Sequence, residues 1–228
     1  MAAKKFEGNE GEVIIAKAKD FWERNGKTFT IAATVIILAV GGWFGYQNFI
    51  KKPKESKAVD AMFKAEEYYR MDSINKALNG DGLYSGFLRI IDKYGGTQAA
   101  KLANFYAGSC YLKLGDNEKA IKHLKKFKTD SKIIQARAYK LLGDAHAEMK
   151  KNEDAFDYYK KAARHFEDDE TNSAEYLFTA AYFAARVLNN KSEAIELFEE
   201  LKTKYPRTTQ GLDADKYLAQ LGVYHTEE

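Results

Sequence analysis

Few residues in this chain are of types that could do chemistry. The histidines are His123, His146, His165 and His225, and no pair has HExxH or another spacing that aims two rings at one metal. Cys110 is the single cysteine, so neither an internal disulfide nor a zinc cage of several thiolates can form, and no base stands beside it in sequence. The run Asn79-Gly80-Asp81-Gly82 offers oxygen ligands, but the spacing and terminal glutamate of a calcium loop are missing, so it reads as turn chemistry. Gly41-Gly42 lies in an apolar run and cradles no phosphate, and no GxSxG is present. The net charge of +3 over 228 residues gives no basic signature for nucleic acid. These residues point away from an enzyme: no catalytic group, cofactor, metal or small-molecule substrate is expected.

The element around which the chain is organised is residues 28–50, a run of 23 residues without a charge between Lys27 and Lys51. As a helix it would be roughly 34 Å long, enough for a hydrocarbon core of about 30 Å. It is too long for a signal-peptide core and no lipid-accepting cysteine follows, so a permanent transmembrane anchor is expected. Thr34, Leu38, Gly41 and Gly45 share one face, on which Gly41 and Gly45 would let a partner helix approach closely. Lysines and arginines are balanced on the two flanks, so charge bias gives little orientation.

Residues 1–27 form an N-terminal tail. Residues 1–11 read as loose, and 12–24 as an amphipathic juxtamembrane helix whose stripe is Ile14, Ala18, Phe21 and Trp22, with a break at Asn25-Gly26. Residues 51–57 read as a charged link. Then 58–71 reads as a helix, 72–82 as a loop and 83–94 as a second helix ended by Gly95-Gly96. Lys119, Lys122, Lys125, Lys126 and Lys128 cluster on one helix; they could serve acidic lipid or a partner, but with Asp116, Glu118 and Asp130 nearby a solvated face is the better reading.

From Ala99 the chain repeats itself. In 136–169, Tyr139, Leu142, Gly143, His146, Ala155, Tyr159 and Ala162 occupy the positions at which tetratricopeptide repeats carry W, L, G, Y, A, F and A. Residues 101–134 align through Gly108, Tyr111, Ala120 and Leu124. Residues 175–208 align through Phe178, Ala194, Phe198 and Pro206, with Tyr182 in place of the glycine. Residues 87–94 resemble the second helix of an earlier, weaker copy, with Gly86 at the small position. Each unit is a helical hairpin with small residues where its helices touch. Hairpins bury their apolar faces only by stacking, and residues 211–221, with Leu212, Tyr217, Leu218 and Leu221, read as the cap. The expected fold is all-α: one N-terminal transmembrane helix, then a tetratricopeptide-repeat solenoid over 58–228 with a C-terminal capping helix.

That resemblance implies a partner groove lined by the first helix of each hairpin. Its residues would be Leu102, Phe105, Ser109 and Leu112, then Arg137, Lys140, Asp144 and Glu148, then Tyr176, Thr179, Phe183 and Val187. The family's carboxylate clamp wants Lys and Asn where Phe105 and Ser109 stand and Asn at Leu141, so a helix or extended segment is the better fit. Either Phe105 and Phe183 lie open in that groove or the chain's own flanking helices cover them. The whole layout, with ALNGDG (77–82), FLRIIDKYGGT (87–97) and LANFYAGSCYLKLGD (102–116), resembles the YfgM-type inner-membrane proteins of bacteria in a Bacteroidota-like version. The resemblance implies an ancillary subunit of the Sec translocon and partner of a PpiD-type chaperone, single-pass, with a cytoplasmic N-terminus and periplasmic repeats. The alternatives are a scaffold of another envelope complex, in cell division or outer-membrane biogenesis, or an anchored scaffold facing the cytosol.

Overall fold

The computed structural model describes residues 7–224, with side chains from Gly11 onward; residues 1–6 of the expected loose tail, and His225, lie outside the described residues. The chain divides into two compact units, Met1–Pro53 and Lys54–Glu228. Every named element is a helix, and the only extended pairing among the described residues is an isolated bridge between Gly80 and Ser85.

In the first unit, α1 (Glu7–Gly45) is followed by a π-helical turn (Tyr46–Lys51). α1 is long and apolar enough to cross a membrane, and its apolar stretch is not buried within the protein. Residues 7–11, expected to be loose, are already helical. The expected break at Asn25-Gly26 is absent. Asn25 Nδ2 donates back to the Phe21 carbonyl (3.1 Å), Gly26 lies against the Trp22 indole, and an interior glycine costs a helix only about 1 kcal/mol. The charged link expected at 51–57 is helical too. The π-turn bonds the Lys52 N–H to the Gln47 carbonyl five residues back, and Pro53 then occupies the first turn of α2 (Lys52–Arg70), where its missing N–H matters least.

In the second unit, α2 is followed by α3 (Ile74–Asn79), α4 (Phe87–Lys93), α5 (Gln98–Lys113), α6 (Asn117–Lys126), α7 (Lys132–Glu148), α8 (Asn152–His165), α9 (Glu170–Arg186), α10 (Lys191–Lys204) and α11 (Thr209–Gln220). The expected loop at 72–82 thus contains α3, and the helix expected from Leu83 starts only at Phe87. Asp81 explains the delay: it accepts from the N–H groups of Leu83 and Tyr84 and from the Tyr68 hydroxyl, so the chain turns there instead of coiling. Gly86 is the cap of α4, pressed against the backbone of Asn79 and Gly80, and does not hold a mid-helix contact.

Three hairpins follow, α5–α6, α7–α8 and α9–α10. Their turns carry a left-handed residue at one repeat position: Gly115 (φ 78°), Lys150 (φ 58°) and Asn189 (φ 54°). α2 ends the same way at Asp72 (φ 55°), and the N–H of the next residue bonds back five residues at Ser73, Asp116 and Lys151. Asp116, Asp169, Asn190 and Thr208 then cap α6, α9, α10 and α11 through their side chains.

The hairpins close on their small residues. A Cβ on Gly108 would stand 2.6 Å from Leu124 Cγ and 3.2 Å from the Ala120 carbonyl; one on Gly143 would stand 2.5 Å from the Tyr159 ring and 3.2 Å from the Ala155 carbonyl. Ala120, Ala155 and Ala194 are fully buried. One core runs under α2–α5 (Ala58, Met62, Ala65, Phe87, Ile90), a second joins Phe105, Leu124, Phe127 and Leu142, and the largest spans α7–α11. In the cap, Ala214 and Leu218 are buried and Tyr217 packs against the core, but Leu212, expected there, is exposed. Gly211 rather than Leu212 faces inward, against the Tyr205 carbonyl.

Candidate partner-binding site

α5, α7 and α9, the first helices of the hairpins, carry the residues expected to line a groove. Their shares of it differ. On α5, Phe105 is buried against Phe127 (ring centroids 5.3 Å) and Tyr106 (5.6 Å), and Leu102 and Leu112 are half-buried in the same cluster. Ser109 is buried as well, its hydroxyl 2.7 Å from that of Tyr69 on α2. Phe105 is covered by Phe127 and the core it shares with α6 and α7, and Ser109 by α2, so both belong to the packing and not to an open surface.

α7 keeps its groove residues available. Arg137 and Glu148 are exposed, and Lys140 is paired with Asp144 at 2.9 Å. The Tyr159 hydroxyl, from α8, donates to the same carboxylate at 3.1 Å. Burial first, and then the Asp144 charge, pushes the Tyr159 phenol far up, so it stays a neutral donor. On α9, Tyr176 is buried and departs from the expected surface. Phe183 is half-buried with its ring edge-on to Tyr159 at 5.4 Å, Thr179 donates to the Glu175 carbonyl, and Val187 is exposed.

The open stretch therefore centres on Arg137. Burial raises the phenols of Tyr106 on α5 and Tyr176 on α9, and the Arg137 guanidinium opposes the rise at both. Glu66 on α2 also acts on Tyr106, and burial raises its own carboxyl against the pull of Arg70. Beside Glu66 stand Val59 and Phe63, the latter 67 % exposed. Sequence reading missed α2 as part of this surface. The signal available was Val59, Phe63 and Glu66 at i, i+4 and i+7, on the face beside the buried stripe of Ala58, Met62 and Ala65.

Thr34, Leu38, Gly41 and Gly45 all lie on α1. The Thr34 hydroxyl donates to the Thr30 carbonyl, and nothing stands within 4 Å of where a Cβ on Gly41 or Gly45 would be, so that face is open.

The residues of types that could carry chemistry are otherwise engaged. Both oxygens of Asp81 hold the loop. Cys110 is fully buried and its thiol is pushed up to about 12, which leaves no thiolate nucleophile at neutral pH. His146 is buried, stacked on Tyr158 at 5.2 Å, with Nδ1 3.3 Å from Asp154 and no well-formed hydrogen bond at either nitrogen. No group of three His, Cys, Asp or Glu side chains converges among the described residues.

Residues 19–135 match the tetratricopeptide repeat-like domain family, and residues 175–208 match the tetratricopeptide repeat. The second match has the bounds read from the spacing of Phe178, Ala194, Phe198 and Pro206. No curated protein matches the chain.

Proposed function

Because the chain belongs to the tetratricopeptide repeat-like domain family, matched over 117 of its 228 residues, we propose that its protein–protein interaction scaffold works at a bacterial inner membrane. There it is an ancillary subunit of the Sec translocon that holds a PpiD-type chaperone near the periplasmic exit. The scaffold is non-catalytic, as is typical of the family. α1 is its anchor, with the N-terminus cytoplasmic and the hairpins periplasmic. The functional boundaries in this reading are tail 1–27, span 28–50, link 51–57 and repeat domain 58–228.

The observation that supports it most is the presence, in one chain, of a helix able to span a membrane with an open Gly41/Gly45 face and of hairpins whose accessible surface centres on Arg137. The first offers a translocon or chaperone span a close helix contact. The second, with Phe183 and the Lys140–Asp144 pair beside it, offers a chaperone segment both apolar and charged partners.

The test is co-purification from membranes in mild detergent. Translocon and chaperone subunits are expected, and their recovery should drop severalfold in Gly41→Leu or Gly45→Leu while the repeat domain stays folded. Recovery of a division or outer-membrane assembly with no translocon subunit would overturn the reading. Topology is checked separately by thiol labelling of Thr226→Cys in a Cys110→Ala background. Labelling that requires rupture of the inner membrane would make this a cytosolic scaffold.

A further inference from the structure

We propose that the lysine-rich face of α6, continued by the turn between α7 and α8, docks on the anionic headgroups of a lipid bilayer. The proposal rests on α1 crossing a membrane, and not on the identity of the translocon. Lys122, Lys125 and Lys126 are exposed on the side of α6 opposite the buried Ala120 and Leu124, and Lys128 follows them. Lys150 and Lys151 are exposed at the next hairpin's turn. Among the described residues, none of these six makes an ion pair within 4 Å, whereas Lys119 beside them is tied to Asp116 at 2.6 Å. The two groups stand on hairpins packed together: Leu124 of α6 shares a core with Leu142 of α7 and Tyr158 of α8, and the Tyr158 ring stacks on His146 just before the turn that carries Lys150 and Lys151. Glu118, Asp130, Glu153 and Asp154 fringe these lysines, and Asp154 is turned to the His146 ring.

The chemistry of the face selects its occupant. No large exposed apolar side chain lies between Gly115 and Ser131 or between Met149 and Asp157, so the face lacks the anchor on which a folded partner or amphipathic helix would close. All six cations are lysines, mobile and strongly hydrated point charges. They suit a plane of many loosely placed negative charges better than the bidentate geometry of a single carboxylate. A bilayer carrying anionic lipid is such a plane, each lysine at its surface adds attraction, and a chain anchored in that bilayer meets it at high effective concentration.

The experiment is lysine acylation of the full chain in lipid nanodiscs, read residue by residue by mass spectrometry. One set of discs is phosphatidylcholine alone, and in the other part of it is replaced by phosphatidylglycerol. Lys122, Lys125, Lys126, Lys128, Lys150 and Lys151 are expected to react severalfold more slowly in the anionic discs only. Lys191 and Lys216, exposed elsewhere, should react equally in both. High salt should abolish the protection, since screening shortens from about 10 Å at 0.1 M to about 3 Å at 1 M. The triple variant Lys122→Glu, Lys125→Glu, Lys126→Glu should lose protection at Lys128, Lys150 and Lys151 as well. Equal reactivity in the two discs would overturn the proposal, as would protection by soluble RNA or polyglutamate in zwitterionic discs with none from anionic ones. Recovery of the chain in zwitterionic discs reports insertion of α1 by itself, so failure of the anchor and failure of the face are told apart.

Discussion

Two hairpins of one solenoid solve the same packing problem differently. In α7–α8, Gly143 lets the helices touch, with the Tyr159 ring laid over the bare Cα. In α9–α10, Tyr182 holds the corresponding position and cannot fit between the helices, so its ring turns outward and is 44 % exposed. It stacks on Phe178 at 6.1 Å and meets Tyr217 of α11 edge-on at 6.2 Å. Phe198 and Tyr217 then stack at 5.2 Å, and a cleft of about 60 Å³ stays open between these rings and Arg186, Gln220 and Leu221. One hairpin gains stability from contact of its own two helices. The other depends on the aromatic layer that the capping helix completes.

The comparison can be broken at each of its supports. Gly143→Trp should do most damage, roughly 3 kcal/mol or more, because even a methyl group already meets the Tyr159 ring. Thermal or denaturant unfolding of the purified chain measures it, and an unchanged midpoint would refute the register that sets Gly143 against Tyr159. Tyr217→Ala should come next, at about 2–3 kcal/mol, since it opens the layer under α9 and α10. Tyr182→Ala should cost no more than about 1 kcal/mol, and a loss as large as that of Gly143→Trp would mean the two positions are equivalent after all.

Acid should separate the two hairpins further. Burial holds the His146 and His165 rings below the usual histidine value, and nearby lysines act the same way, while Asp154 partly opposes the effect at His146. The unfolded chain takes up protons first as pH falls through about 6.5. The stability that these neutral rings contribute is thus complete above that value and declines as pH drops toward their folded-state values. Amide exchange at pH 7.5 and 5.5 should show α7–α8 loosening before α9–α11, where no histidine is described, and His146→Gln should shrink the difference. The smallest effect is expected at the turns. Lys150→Gly should raise the melting temperature slightly, by about 0.5 kcal/mol in stability, because it relieves a left-handed backbone that Gly115 accommodates for free. A drop would indicate that Lys150 makes a contact outweighing its strain.

Much of this was legible in the residues. The 35-residue step from Gly108 to Gly143, repeated from Ala120 to Ala155, located the hairpins, because a helix contact of that closeness tolerates only a small side chain. The candidate surface was half legible. Arg137, Lys140 and Asp144 are reachable, but Phe105, Ser109 and Tyr176 are covered. Repeat spacing says which side a residue takes on its own hairpin and nothing about what a non-repeating neighbour lays over it. Phe105 and Tyr176 are covered by the hairpins' own cores, and the neighbour laid over Ser109 is α2. Its Glu55 accepts from the first N–H groups of α5 at Gln98 and Ala99, Lys54 donates to the Gly95 carbonyl, and Tyr69 reaches Ser109, three contacts spanning about forty residues of chain.

By itself the sequence determined the helical class, the apolar span and the hairpin period. These depend on the order of small, apolar and charged residues over a few turns, and local chemistry enforces such order wherever the chain is placed. The tertiary structure decided which groove residues stay open, which way Tyr182 turns, and that Leu124 of α6 and Tyr158 of α8 share a core. Those outcomes depend on distances between residues far apart in the chain, fixed only when α2, α11 and the hairpins between them close on common cores.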